Sequence, residues 1–194
     1  MGTSETQTSG MPGGIRETAG VRPAPGQRRQ PAGQPEAAPP TGPNAPDRWR
    51  YARHLDRLAA AGAAGVAGEA GAVADVLRDP DPVMAQSAVV THLDRRAVRL
   101  LPGAAFCDWA LALRAVLEGH AFPARRLREW TLLKAIESGG SWSAAELAAA
   151  SDWCQRTAAQ SPASDEALAL LAASARTRRV RNTAARRLHR RATL

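Results

Sequence analysis

The run Asp79-Pro80-Asp81-Pro82-Val83-Met84 leaves the backbone few options. A proline excludes the α conformation from the residue before it, so a helix arriving from the N-terminal side must stop near Arg78. Asp81 can accept hydrogen bonds from the free N–H groups of a new helix. Pro82 sits where a missing N–H costs nothing and a fixed φ is already helical. The residues that follow, to Leu93, carry an apolar face at helical spacing. The run therefore reads as the hinge of a helical hairpin. A related pattern returns towards the C-terminus, where a helix ending near Ser174 gives way to Val180-Arg181-Asn182-Thr183-Ala184 and then Leu188.

The rest of the chain alternates in the same way between apolar stripes and helix stops. Asp47 caps a first helix, with Tyr51, Ala52, Leu55, Leu58 and Ala59 as its stripe. Gly62, Gly65, Gly68 and Gly71 follow at intervals of three and read as a loose connection. A phosphate-wrapping glycine loop needs a strand before it, whereas both flanks here are helical and Glu69 would repel an anion. Ala70, Val73, Ala74 and Leu77 mark the second helix, which leads into the hinge. Past Pro102-Gly103, Phe106, Trp109, Ala110, Leu113, Val116 and Leu117 give the cleanest amphipathic face, ended by Gly119. Pro123 starts a fifth helix whose Leu127, Trp130, Leu132, Leu133 and Ile136 spread around more than half its circumference, as in a helix sandwiched between neighbours. Ser138-Gly139-Gly140 stops it. Ser143-Ala144-Ala145-Glu146 is a capping-box signature for a sixth helix, running through Leu147, Ala150, Cys154 and Ala158 with Trp153 at its margin. Ser161-Pro162 breaks the chain again. Ser164 or Asp165 caps a seventh helix through Leu168 and Leu171, and an arginine-rich eighth follows. Eight helices, short turns and no strand pattern predict an all-α fold in which antiparallel neighbours form either a compact bundle or a stack of hairpins.

Composition places the boundary. Residues 1–46 hold nine of the fourteen prolines and eight of the sixteen glycines, with apolar side chains few and scattered. Such a segment cannot bury enough surface to offset its ordering entropy, and it is predicted to be a disordered Pro/Gly-rich spacer. Residues 47–194 carry all five tryptophans and are long enough for one helical repeat domain. The formal net charge of +8 is just as uneven. The tail has four Arg against three Glu, and residues 47–175 have thirteen Arg and one Lys against fifteen acids. Residues 176–194 have eight Arg and no acid. Cys107 and Cys154 lie within apolar helical patterns, without paired spacing or neighbouring histidines, and both are expected to be small buried hydrophobes in a reducing compartment. No apolar run is long enough for a signal peptide or a membrane span, which predicts a cytoplasmic protein with no membrane contact.

At its two hinges the chain resembles the HEAT-repeat family of α-solenoids. The second helix of that repeat typically opens with an Asp-Pro or Asp-x-x turn, then Val-Arg, then Ala about four residues on and Leu about four beyond it. Val180, Arg181, Ala184 and Leu188 match that spacing. Asp79, Pro80, Asp81, Pro82 and Val83 look like the family's turn, although Met84 stands in place of the arginine and Leu93 falls late. The resemblance implies stacked hairpins with an extended surface for partners, and residues 103–137 share the hairpin form without the motif.

Two surfaces are candidates for contact with other molecules. On the last helix Arg178, Arg179, Arg186, Arg187 and Arg190 offer guanidinium groups, while Val180, Ala184 and Leu188 line the opposite side. Such a face can meet phosphates without reading sequence, so nucleic acid or another polyanion is one expected partner. Its cations also suit the negative C-terminal end of their own helix. Trp142, between two serines in a turn, is the tryptophan expected to be most exposed and able to anchor a partner. One HEAT-like family, the alkylation-repair DNA glycosylases, uses Trp, Asp and Arg, types supplied here by Asp108, Trp109 and Arg114, but no motif aligns residue by residue. His54, His92, His120 and His189 are far apart in sequence, and Asp79 and Asp81 read as turn and capping groups. No catalytic residue, metal ligand or cofactor site is expected. The leading expectation is a non-catalytic module that binds another protein.

Overall fold

A computed structural model of the chain describes residues 47–161 and 164–193, and the predicted disordered tail, 1–46, lies outside them. The described residues form nine helices and no strand: α1 (Asp47–Ala64), α2 (Val66–Leu77), α3 (Pro82–Leu100), α4 (Ala105–Val116), α5 (Ala121–Glu137), α6 (Ala144–Ala149), α7 (Asp152–Gln160), α8 (Asp165–Ser174) and α9 (Arg178–Ala192). The all-α expectation holds, and local chemistry explains the boundaries. Asp81 Oδ1 accepts from the N–H groups of Val83 and Met84, each at 3.0 Å, and Pro82 occupies the first turn of α3. Ser143, Ser164 and Thr177 likewise cap α6, α8 and α9 with their side-chain oxygens.

Two boundaries differ from the sequence reading. The four spaced glycines are not a loose connection. Gly62 lies in α1, Gly68 and Gly71 lie in α2, and only Gly65, at φ 126°, breaks the helix. That φ is one an L side chain rarely adopts, so a single glycine is enough for the corner. The predicted sixth helix is two. Ser151 Oγ accepts the N–H of Cys154 at 3.2 Å and caps α7, while the Ser151 N–H donates to Glu129 Oε1 of α5 at 3.0 Å. A cap together with a carboxylate that takes its N–H separates the two helices, and the first ends at Ala149.

The odd-numbered helices pack in one row, each on the next, from α1 to α9, and the even-numbered helices lie against them. Every close helix packing is between elements one or two apart in chain order. This is the contact pattern of a quasi-one-dimensional stack. The second row is interrupted: α2 packs on α4 and α6 on α8, but α4 and α6 are not closely packed. No close packing joins α1–α4 directly to α6–α9, and α5, held by α3, α4 and α7, joins the two groups. The core runs the length of the stack, from Leu58, Val73 and Leu93 through Trp109 and Leu133 to Leu168 and Ala184.

Polar side chains bridge successive helices inside this core. Glu69 on α2 is fully buried. Its Oε1 accepts from Trp109 Nε1 of α4 at 2.8 Å and lies 2.7 Å from His92 Nε2 of α3, while Arg96 Nε donates to Oε2 at 3.1 Å. The α1 backbone closes over this carboxylate at buried Gly62, where a Cβ would stand 3.5 Å from the carboxyl carbon. Asp94 of α3 accepts from Arg126 and from Trp130 Nε1 of α5, and Arg126 lies 3.6 Å from the Trp153 ring of α7. Fully buried Gln155 of α7 donates to the carbonyls of Leu147 and Ala148 and accepts the N–H of Arg176 at 2.9 Å. Each bridge satisfies polar groups that the stacking would otherwise strand.

Candidate functional site

Where the second row is interrupted, α5 is left uncovered along one side and a groove opens between α4 and the segment running from Ser138 into α6. Its volume is about 930 Å³. Residues from Ala124 to Ser138 line its floor, a length of about 21 Å at the helical rise. The walls are apolar, with Phe106, Ala110 and Leu111 of α4 on one side and Trp142 on the other. Leu111 is 68 % exposed, a large aliphatic side chain that folding leaves in water. Arg114 and Arg128 stand in the half nearer the α4–α5 turn, and Glu146 lies in the first turn of α6. None of these three charged side chains has a hydrogen bond or ion pair among the described residues. Trp142 is half-buried and packs against the core, so it is a wall of the groove rather than a freely exposed ring.

Cys107 also lines the groove and is exposed, contrary to the expectation that both thiols are buried. It lies one residue off the stripe of Phe106, Trp109, Ala110 and Leu113, which carries it to the outer face of α4. Cys154 is buried, and burial, with the Glu129 carboxylate adding to it, pushes its thiol up to about 12. The thiolate is the reactive form. One thiol per folded chain is therefore expected to react with N-ethylmaleimide at pH 7.5, at Cys107, and the second only after denaturation. Peptide mapping of the labelled protein checks this, and label on Cys154 under native conditions would contradict it.

The second candidate surface lies on α9. Val180 and Ala184 are buried against the neighbouring helices, while Arg178, Arg179, Arg186 and Arg190 are exposed, their guanidinium groups making no hydrogen bond or ion pair among the described residues. Arg187 is positioned differently. It is half-buried, and its Nη1 donates to the carbonyls of Ala159 at 2.8 Å and Ser161 at 2.6 Å, capping the C-terminal end of α7. Burial and the neighbouring charges of Arg191 and Arg190 hold its pKa below the usual guanidinium range. Arg181 reaches back to the Ala175 carbonyl at 2.6 Å, Arg191 pairs with Asp165 at 2.7 Å, and Arg176 lies 3.6 Å from Asp152. The predicted arginine face thus divides into four exposed cations and several that hold the end of the stack together.

Asp108, Trp109 and Arg114 do not converge. Trp109 is fully buried with its N–H on Glu69, while Asp108 and Arg114 are exposed. Among the described residues no three His, Cys, Asp or Glu side chains gather as metal ligands would. Nor is any helix there long and apolar enough to cross a membrane. His54 lies 2.8 Å from Asp79, which also accepts from Arg50 at 2.9 Å and from the Asp81 N–H. Burial raises the Asp79 carboxyl, but these partners together hold it below its ordinary value.

No protein family, curated protein or solved structure matches the chain. A functional assignment must therefore be built from the groove and from α9. Sequence reasoning missed the groove altogether. No local signal marked it, because its lining comes from α4, α5 and the segment that leads into α6, which meet only in the fold.

Proposed function

We propose that the protein is a non-catalytic, HEAT-like helical repeat module of the cytoplasm that binds another protein through its helical surface. The observation that carries this reading is the groove between α4 and α6, where Leu111 stays in water beside the apolar side chains of Phe106, Ala110 and Trp142. Burying such a side chain gains about 1.5–3 kcal/mol, so an apolar partner surface has a reason to settle there. The test is affinity capture from nuclease-treated extract of the source cells with the full chain and with Leu111→Glu, which leaves the core untouched because Leu111 faces solvent. The expected result is a protein retained at least tenfold better by the parent chain. Equal retention by both would contradict the groove as the docking site.

A second reading, nucleic-acid binding through α9, is favoured by one specific feature. Arg190 suits the negative end of its helix, but Arg178 and Arg179 occupy the first turn, where the helix dipole is positive and opposes them. Helix stability gives no reason for cations at that end, whereas a phosphate partner does. With four phosphate contacts, log K is expected to fall against log salt with a slope of about −3 to −4. Replacing Arg178, Arg179, Arg186 and Arg190 with Gln is expected to abolish the interaction while leaving helicity unchanged. A salt-independent slope, or no binding to duplex or single-stranded nucleic acid, would remove this reading. Deleting α9 is the wrong test, because α8 packs more extensively against α9 than against any other helix and the deletion would unpack it.

A further inference from the structure

The geometry points to an amphipathic α-helix with acidic flanking residues, carried by a partner protein, as the occupant of the groove between α4 and α6. This inference rests on the protein-docking reading above and names the chemistry of the partner. Three observations carry it.

The first is shape. The groove floor is about 21 Å long, which is four helical turns, and a four-turn helix about 10 Å across fills about 1,700 Å³. A recess of about 930 Å³ receives roughly half of that cylinder, the fraction an amphipathic helix has to hide. The second is backbone chemistry. A bound strand gains its affinity by adding to a sheet edge, and the described residues contain no strand. A helix brings its own hydrogen bonds and needs only an apolar surface, which Phe106, Ala110, Leu111 and Trp142 provide. The third is charge. Arg114 and Arg128 share the half of the groove nearer the α4–α5 turn and lack counter-ions among the described residues, so a carboxylate on the incoming helix would meet two guanidiniums there. Complementary rim charges of this kind select the partner and fix its register. The chain's own first 46 residues do not fit the role, because their many prolines and glycines interrupt any helical apolar stripe.

The test displays a library of 18-residue helices with a fixed Leu stripe and flanking positions varied among Glu, Gln and Lys, and selects it on the full chain. The expected result is enrichment of Glu-flanked helices that, as synthetic peptides at saturation, slow maleimide modification of Cys107 at least tenfold. The doubly exchanged Arg114→Glu/Arg128→Glu chain, its fold checked by circular dichroism, is expected to enrich Lys-flanked helices instead. Enrichment of Gln- or Lys-flanked helices that still shield Cys107 would overturn the acidic preference while leaving the groove as a docking site. Binders that leave the Cys107 rate unchanged, or no enrichment at all, would overturn both. A dimer by light scattering with Cys107 already shielded would show that a second copy fills the groove, and it too would overturn the proposal.

Discussion

Glu69→Ala is expected to remove about 3–5 kcal/mol from the unfolding free energy, the cost of breaking a buried charged cluster by deleting one partner. The alanine leaves Trp109 Nε1, His92 and Arg96 facing an empty site inside the stack. It also removes the buried polar bridge from α2 to both α3 and α4. Against a total stability of about 5–15 kcal/mol, such a loss is a large fraction of what keeps the chain folded. Glu69→Gln, which keeps the shape and an acceptor for the indole N–H, is expected to lose about half as much. Urea unfolding followed by tryptophan fluorescence measures both variants, and an alanine variant within about 0.5 kcal/mol of the parent would refute the cluster's role.

The same carboxylate gives the stability a pH dependence of known sign. Burial raises the Glu69 carboxyl, but the hydrogen bonds from His92 and Trp109 and the nearby charges of His92 and Arg96 together hold its folded-state pKa below the ordinary value. Asp79 is lowered in the same way. As pH falls below about 4.5, the unfolded chain takes up protons first. The contribution of these two groups is therefore fully present above their unfolded values and is lost as pH drops through the lower folded ones. Glu69→Gln should flatten this acid limb, and the difference in urea midpoint between pH 7 and pH 3 measures it.

Gln155→Ala is the second large effect, expected to cost about 3 kcal/mol. The amide donates to two carbonyls at the end of α6 and accepts the N–H of Arg176 just before α9, so its loss takes this partner from the half-buried Ala148 carbonyl and Arg176 N–H, while the Leu147 carbonyl keeps the Ala150 N–H. Each such group costs about 1–3 kcal/mol. Gln155→Glu keeps the acceptor for Arg176 but removes the donor and buries a charge, so it is not expected to restore stability. A thermal shift for Gln155→Ala no larger than that of a surface Gln, such as Gln160→Ala, would contradict the bridging role.

What could be read beforehand was local chemistry. The Asp79–Pro82 hinge, the caps at Ser143 and Ser164 and the stripe from Phe106 to Leu117 each depend on residues a few positions apart, where spacing alone decides the structure. Interactions that depend on distant partners were not legible. Glu69, set among glycines, was read only as a charge that would repel an anion, because nothing nearby in sequence shows that Trp109, forty positions on, brings it an indole N–H. Ser151 was read as helix interior because the carboxylate that takes its N–H lies on another helix. Arg187 looked like its exposed neighbours until the end of α7 was placed beneath it. The groove was hidden for the same reason, since its lining is assembled from α4, α5 and the start of α6.

Among the described residues the helices form a linear stack whose two groups, α1–α4 and α6–α9, share no close packing and are joined through α5, with the groove beside it. Native-state hydrogen exchange on Gln155→Ala tests this most directly, because stability in a linear stack is close to a sum of local terms. The expected result is a loss of amide protection in α6–α9 with protection in α1–α4 retained. A uniform loss across all the described helices would contradict it.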